Sequence, residues 1–366
     1  MKYRLHVLGL PHTQCSYQYS MCAYTMKVAK FTKMMMAVGN EVYLYHGDES
    51  EDAEYTENIP CITRAQQAEY GLNGPKDILK GAYNTEMPYW KLFNDNCIAE
   101  IRKRIQPRDI ICVIAGACQK PVTDEFPENI VVEWGVGYEG TYSRFRVFES
   151  YAWMHTLYGQ QQGANNANGN FYDCVIPNFF EDDYFPFVPS DQRSDYALFM
   201  GRLIDRKGYH IAADVCKMLG IRLIVAGEGA PPIYGEYVGV VGPEERAELF
   251  SKAQFSFMPS LYLEPFGAVQ IEAMFCGTPV LTTDWGSCPE VNIHGVTGFR
   301  CRSMAEFVEG AKRAPSLDRQ AIRDYAIKRF SMNTIQWQYQ DYFDHLFTLY
   351  EDGFYQQRPI ERFVAR

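Results

Sequence analysis

The sequence predicts an α/β protein of two doubly wound parallel-sheet domains facing each other across a cleft. Three observations carry that prediction. The length of 366 residues allows about two domains at roughly 150 residues each. Short apolar runs alternate with stretches of helical periodicity, the order that builds parallel sheets. Near the middle of the chain, Pro177, Pro186, Pro189 and the polar run Ser190 to Asp195 interrupt the alternation, and packing density should fall there.

In chain order, Tyr3 to Leu10 reads as a first strand ending at Gly9-Leu10-Pro11. Ser20 to Val38 has helical spacing, with Met21, Tyr24, Val28, Phe31 and Met35 on one stripe. After Gly39-Asn40, Glu41 to Tyr45 is a strand. The polar stretch from Asp48 to Tyr89 is rich in turn residues and reads as an insertion or an irregular part of the first domain. Strands follow at Ile110 to Ala115 and Ile130 to Glu133, the second leading into the glycine-rich Gly135 to Gly140. Phe145 to Tyr158 reads as a helix and Asp173 to Ile176 as the last strand of this half.

Beyond the linker the alternation restarts. Strands are predicted at Tyr196 to Met200, Arg222 to Ala226, Tyr237 to Val241, Phe255 to Met258 and Val280 to Thr283. Helices are predicted at His210 to Leu219, Glu244 to Ala253 and Ala268 to Cys276, and Leu317 to Tyr350 reads as two long helices. The domain limits that follow are 1–185, 186–335 and a helical tail over 336–366. In open parallel sheets the ligand crevice lies beyond the carboxyl ends of the strands, so functional residues should sit just after them.

Composition narrows the function classes. With 47% hydrophobic and 22% charged residues, the chain is of the soluble globular type. Its 26 Tyr and 23 Phe are assigned to core packing. A net charge of -10 argues against a general attraction to nucleic acid and allows at most peripheral membrane contact. Lys27, Lys30 and Lys33, and the cluster Arg102, Lys103, Arg104 and Arg108, read as solvated faces. Eleven cysteines without CxxC pairs or regular ligand spacing read as reduced thiols of a cytoplasmic protein, with Cys112, Cys118 and Cys216 in the core. Met1 to Leu10, interrupted by Lys2, Arg4 and His6, does not have a signal-peptide pattern, and no run of about 18 apolar residues follows.

The candidate chemistry lies in the second half. Gly201, Arg202 and Lys207-Gly208 follow a strand; the glycine tolerates close approach of a ligand, and the two cations suit a diphosphate, Arg as a fork and Lys as a point charge. Pairing of both cations with neighbours such as Asp205 is the alternative. Gly267 opens an apolar helix whose first amides could cradle a phosphate. Glu272 is the one charged residue between Phe266 and Cys276, and a carboxylate in such surroundings needs a partner. A ribose diol is one candidate and a salt bridge inside the fold is the other. Glu264, in the preceding loop, would hold hydroxyls of a sugar.

These residues resemble the family 4 glycosyltransferases of the GT-B fold, whose signature is two glutamates separated by seven residues, here Glu264 and Glu272, followed by Gly277-Thr278-Pro279-Val280. Gly201-Arg202-Leu203 with Lys207-Gly208, then Val225-Ala226-Gly227-Glu228-Gly229, are similar to the start of that family's donor domain. Ile176-Pro177-Asn178 ahead of Phe185 is similar to its interdomain segment, and Pro289-Glu290 with Gly295, Thr297, Gly298 and Phe299 to the region closing its donor pocket. The motifs cover about 170 to 300 and occur in order.

The resemblance implies two Rossmann-like domains, with C-terminal helices able to cross back to the first. It implies Arg202 and Lys207 on the donor diphosphate, Phe266, Gly267, Ala268 and Val269 around its distal phosphate, Glu272 on the ribose and Glu264 on the sugar. It places base recognition near Glu228 and Val241. It implies a nucleoside-diphosphate sugar, a UDP- or GDP-sugar first, as co-substrate, retention of anomeric configuration, and no essential metal. Arg202 and Lys207 would then stabilise the leaving diphosphate. The first half departs from the pattern, with Gly135 where many relatives carry a His. His12 is an alternative neighbour of the reacting centre or merely caps its loop; Tyr138, Glu139, Tyr142 and Ser143 are candidates for the acceptor side.

Transfer of a sugar to a hydroxyl of a glycan, a lipid-linked glycan or a small metabolite is the leading reading. Glycosylation of a modified DNA base would want a basic first domain, yet residues 1–185 hold 16 Lys plus Arg against 23 Asp plus Glu. A nucleotide-sugar binding protein without catalysis is the third reading.

Overall fold

The computed structural model describes residues 2–75, 77, 83–162 and 168–352. They form two compact units, the first drawn from within 2–134, 140–146 and 336–352 and the second from within 135–139 and 147–335.

The first sheet has seven strands in the order β3-β2-β1-β4-β5-β6-β7. These are β1 Arg4–Leu8, β2 Glu41–Gly47, β3 Glu57–Ile62, β4 Ile110–Val113, β5 Ile130–Val136, β6 Phe145–Phe148 and β7 Cys174–Val175. Strand β1 pairs in parallel with both β2 and β4, Leu5 lying beside Val42 on one side and Ile110 on the other. A strand flanked on both sides and covered on both faces must be apolar, and Leu5, Val7 and Leu8 are fully buried. Helix α1 (Ala23–Ala37) buries Val28, Phe31 and Met35 of the expected stripe, although Met21 lies outside it and is exposed.

The sequence reading needs correction in three places here. The stretch Asp48 to Tyr89 is not irregular throughout: it contains β3, helix α2 (Arg64–Glu69) and the first residues of α3 (Pro88–Ile101). Helix α2 starts on a capping box, in which the Thr63 side chain accepts from the Gln66 amide and the Gln66 side chain accepts from the Thr63 amide. Phe145 to Tyr158 is not one helix but strand β6 followed by helix α5 (Tyr151–Gln162). The basic cluster is not a simple solvated face, because Arg104 is held by Glu57 and Glu100, and the Arg108 guanidinium lies 3.9 Å from the Phe347 ring centroid.

The last described helix, α12 (Met332–Asp352), contributes its later turns to the first unit. Gln340 accepts from the Asn40 side chain at 3.0 Å, Tyr3 donates to Asp344, and Tyr339 packs edge-on against Phe31. This crossing is the placement of C-terminal helices that the fold class expected.

The second sheet has six strands, all paired in parallel, in the order β10-β9-β8-β11-β12-β13. They are β8 Tyr196–Met200, β9 Arg222–Ala226, β10 Glu236–Gly239, β11 Phe255–Met258, β12 Val280–Thr283 and β13 Gly298–Cys301. Helices α6 (Tyr209–Leu219), α7 (Pro243–Lys252), α8 (Ala268–Phe275), α9 (Cys288–Val291), α10 (Met304–Arg313) and α11 (Arg319–Phe330) accompany it. Strand β13 and helix α10 are additions to the elements read from the sequence. Phe250, Phe255 and Phe257 are fully buried, each contributing about 2–3 kcal/mol of hydrophobic stabilisation. The strand order reverses between β8 and β11, and this switch point is where such a sheet opens a crevice.

Candidate functional site

The loops leaving β8 and β11 carry most of the predicted residues to that switch point. After β8 the chain runs through Gly201 (φ 153°) and Arg202 to a left-handed Gly208 (φ 68°). A Cβ at Gly208 would lie 2.1 Å from the Pro259 carbonyl oxygen, so glycine is what lets this loop close against the one after β11. The Leu261 amide donates to the Arg206 carbonyl at 2.8 Å, a second tie between the two loops. The β9 loop is fixed in the same way: a Cβ at Gly227 would meet the Gly201 carbonyl oxygen at 1.9 Å, and the Leu203 amide donates to the Glu228 carbonyl at 2.7 Å.

Lys207 and Glu264 meet in this frame. The ammonium lies 2.9 Å from both carboxylate oxygens and donates to the Tyr262 hydroxyl at 2.9 Å, while Ser260 donates to Oε2 of Glu264 at 2.9 Å. Glu264 is 8% exposed. A carboxylate so buried needs partners, and Lys207 and Ser260 supply them. Burial and the Glu264 charge push the Tyr262 phenol up, and the Arg206 guanidinium sits 4.8 Å from its ring centroid. Arg202, two residues after β8, is exposed and makes no hydrogen bond or ion pair among the described residues. Asp205, the partner the alternative reading named, instead approaches His210 at 3.9 Å.

Gly267, left-handed at φ 77°, is the N-terminal cap of α8. A Cβ there would come within 2.7 Å of the Met258 sulfur. Phe266 is buried and its carbonyl accepts from Gln270 and Ser287, which fixes the turn into the helix; Ala268 and Val269 are half-buried in its first turn. Glu272, one turn later, is paired. Arg246 of α7 donates Nε to its Oε2 at 2.7 Å, with Nη2 at 2.5 Å from the same oxygen. The structure therefore brings Lys207 and Glu264 together and gives Glu272 a separate partner. Glu228 is exposed, and Val241 packs at the margin of the β8–β11 core.

Several contributors were not read from the sequence. Tyr262 and Ser260 lie in the apolar-looking loop after β11, and Arg246 lies on a charged helix. Glu290 was read as part of a motif only; its carboxylate accepts from the Tyr151 and Ala152 amides at 2.8 and 2.7 Å, capping α5. Ser150 donates to the Pro265 carbonyl at 2.6 Å. Except for Ser260, four residues from Glu264, their signals are pair contacts across long sequence separations, which spacing does not display.

In the first unit His12 is buried in the loop after β1, edge-on to Tyr83, with Nδ1 lacking a hydrogen-bond partner. His46, which ends up behind it, was not singled out. Its Nδ1 accepts from the Gly47 amide at 2.7 Å, so the proton sits on Nε2, which also lacks a partner. Burial pulls His12 down to about 4 and His46 down to about 3. Tyr142 bonds Thr123 through its hydroxyl at 2.9 Å, and the backbone amides of Tyr142 and Ser143 donate to buried Glu133. In the second unit, Tyr138 packs beside Val136 and Phe148, while Glu139 is exposed. Among the described residues, no three or more His, Cys, Asp or Glu side chains are grouped to hold a metal, and no helix is long and apolar enough to cross a membrane.

Comparison with known proteins bears on the same segment. Residues 194–314 match the profile of the family described as Glycosyl transferases group 1. A glycogen synthase of Mycobacterium tuberculosis is 33% identical over 147 residues, covering 35% of this chain and 35% of that protein, so the match spans about a third of the relative's length. Among solved structures, AviGT4, a glycosyltransferase involved in avilamycin A biosynthesis, superposes with a TM-score of 0.65 at 18% identity over 94% of this chain and 98% of its own. HepE of Anabaena in complex with UDP and glucose does so with a TM-score of 0.63 at 16% identity, over 94% of this chain and 100% of its own. These structural likenesses show the two-domain fold.

Proposed function

We propose that the chain, whose residues 194–314 match the group 1 glycosyltransferase profile and whose fold is GT-B, is a retaining, family 4 enzyme that moves a sugar from a nucleoside-diphosphate sugar to an acceptor hydroxyl on a glycan, a lipid-linked glycan or a small metabolite. The carrying observation is the Lys207–Glu264 pair on the two loops that leave the switch-point strands β8 and β11, with Arg202 on the first of these loops. Two cations and one buried carboxylate at that position suit a diphosphate joined to a polyol.

The roles follow from charge. As the bond between the anomeric carbon and the diphosphate oxygen breaks, negative charge grows on the leaving group, and Arg202 and Lys207 stabilise it without a metal ion. The α8 amides around Gly267 to Val269 face the distal phosphate. Glu264 accepts hydroxyls of the sugar. Glu272 holds the ribose through the oxygen that Arg246 does not take. Glu228 and Val241 border the base.

Residues 1–185 bind the acceptor, 186–335 the donor, and 336–366 form the tail. His12, Tyr138, Glu139 and Tyr142 serve the acceptor side. UDP- and GDP-sugars are the first donors to try, since UDP and glucose occupy the HepE complex. Eleven cysteines without a disulfide agree with action in the cytoplasm.

The test is a panel of UDP-, GDP-, ADP- and CDP-sugars in a thermal-shift assay. One or more raises the melting temperature in a concentration-dependent way. No shift with any of the four classes sinks the proposal.

A further inference from the structure

We infer that Tyr262 is a positioning residue that holds Lys207 at the diphosphate while Glu264 is handed over to the sugar; the inference rests on the donor assignment above.

The argument begins with the three N–H donors of one ammonium. Lys207 directs them at the Tyr262 hydroxyl and the two Glu264 oxygens, each at 2.9 Å. The cation meant for the diphosphate and the carboxylate meant for the sugar are therefore bound to each other. A donor molecule has to part them, and it can do so without cost in unpaired groups only by bringing both replacements, phosphate oxygens for Lys207 and hydroxyls for Glu264. Recognition of the two halves of the donor is thereby coupled.

During the exchange the two partners of Lys207 behave differently. Glu264 keeps Ser260 as a donor at 2.9 Å and gains sugar hydroxyls, so it can release the ammonium. Through its hydroxyl Tyr262 accepts from Lys207 and donates to Glu264, so it touches both members of the pair. Its ring is fixed by the Arg206 guanidinium 4.8 Å from the centroid, and Lys207 itself lies 5.0 Å from the same centroid. Beside it, the Leu261 amide is tied to the Arg206 carbonyl. A phenol that burial and the Glu264 charge keep protonated remains an acceptor for Lys207 through one lone pair. Tyr262 thus stays on the ammonium when Glu264 leaves it, so that Lys207 points at the diphosphate instead of following the carboxylate or dispersing into solvent.

The test uses the full chain and whichever nucleotide-sugar stabilises it. Tyr262→Phe keeps the ring and both cation contacts and removes the hydroxyl's hydrogen bonds to two charged groups, Lys207 and Glu264. In the Lys207 background the donor affinity, read by calorimetry, falls about 10-fold or more. In a Lys207→Met background, followed by saturation-transfer NMR up to millimolar donor, the same substitution changes affinity less than about 2-fold, because the group it positions is gone. The melting temperature of unliganded Tyr262→Phe is measured beside it to register any change in folding. An equal loss in both backgrounds, or no loss with Lys207 present, overturns the inference. A wild-type chain that binds no nucleotide-sugar at all is a different result, and counts against the donor assignment.

Discussion

Breaking the Lys207–Glu264 pair from one side provides the sharpest energetic test of the site. Lys207→Met removes the ammonium and leaves a carboxylate that is 8% exposed, with the Ser260 and Tyr262 hydroxyls as neutral donors. Stranding a buried charge costs about 3–5 kcal/mol. The Lys207 side chain retains 20% of its exposure, so water can reach the vacated position and the lower end, about 3 kcal/mol, applies. Replacing both partners is cheaper, because a neutral amide has no charge to desolvate; the Lys207→Met, Glu264→Gln double variant should recover most of the loss. Urea denaturation at pH 7, followed by circular dichroism, measures both. A single variant within about 1 kcal/mol of wild type, or a double variant as unstable as the single, would refute the reasoning.

Three further outcomes follow from the same geometry. Arg202→Ala should leave stability within about 0.5 kcal/mol, since the side chain is exposed and unpaired among the described residues, yet lower turnover more than donor affinity; unchanged turnover contradicts its role. Gly208→Ala should cost about 2 kcal/mol or more and lower the melting temperature, because a Cβ there meets the Pro259 carbonyl oxygen at 2.1 Å on a left-handed backbone; a neutral result would mean the loop is free to move away. His12, lowered from 6.5 to about 4 by burial, is protonated in the unfolded chain first. Its contribution is therefore complete above pH 6.5 and is lost as pH falls toward 4, by about 3 kcal/mol at 1.36 kcal/mol per unit. His12→Phe should show a correspondingly shallower fall in urea stability across that window, and equal slopes in the two proteins would contradict the buried neutral imidazole.

The second unit was largely legible in the sequence because its central strands are fully buried. Tyr196–Met200 is buried at every position, and such runs stand out from amphipathic helices. Strand β3 did not stand out because it is an edge strand with half-buried polar residues and Pro60, so its composition resembles a loop. Phe145 to Tyr158 misled for another reason. Its aromatic spacing fits either period, and the break at Glu149-Ser150 is made by the Ser150 side chain accepting from the Trp153 amide. Strand β13 is a short edge strand with a half-buried arginine.

Within the site, Glu264 and Lys207 could be found because charged residues just after apolar strands need an explanation. Tyr262 and Arg246 could not, since their meaning lies in partners 55 and 26 residues away. The Glu272 partner shows the limit most clearly. One carboxylate on an apolar helix is compatible with a ribose or a salt bridge, and the sequence holds no sign of which face Arg246 presents.

The central claim is transfer chemistry at a nucleotide-sugar, and time-resolved proton NMR of donor turnover tests it most directly. With the donor class that stabilises the protein, the account predicts release of the nucleoside diphosphate and, when water serves as acceptor, first appearance of the sugar in the anomeric configuration it had in the donor. Arg202→Ala slows that release. Failure to release nucleoside diphosphate from any of the four donor classes, or first appearance of the opposite anomer, would contradict the account.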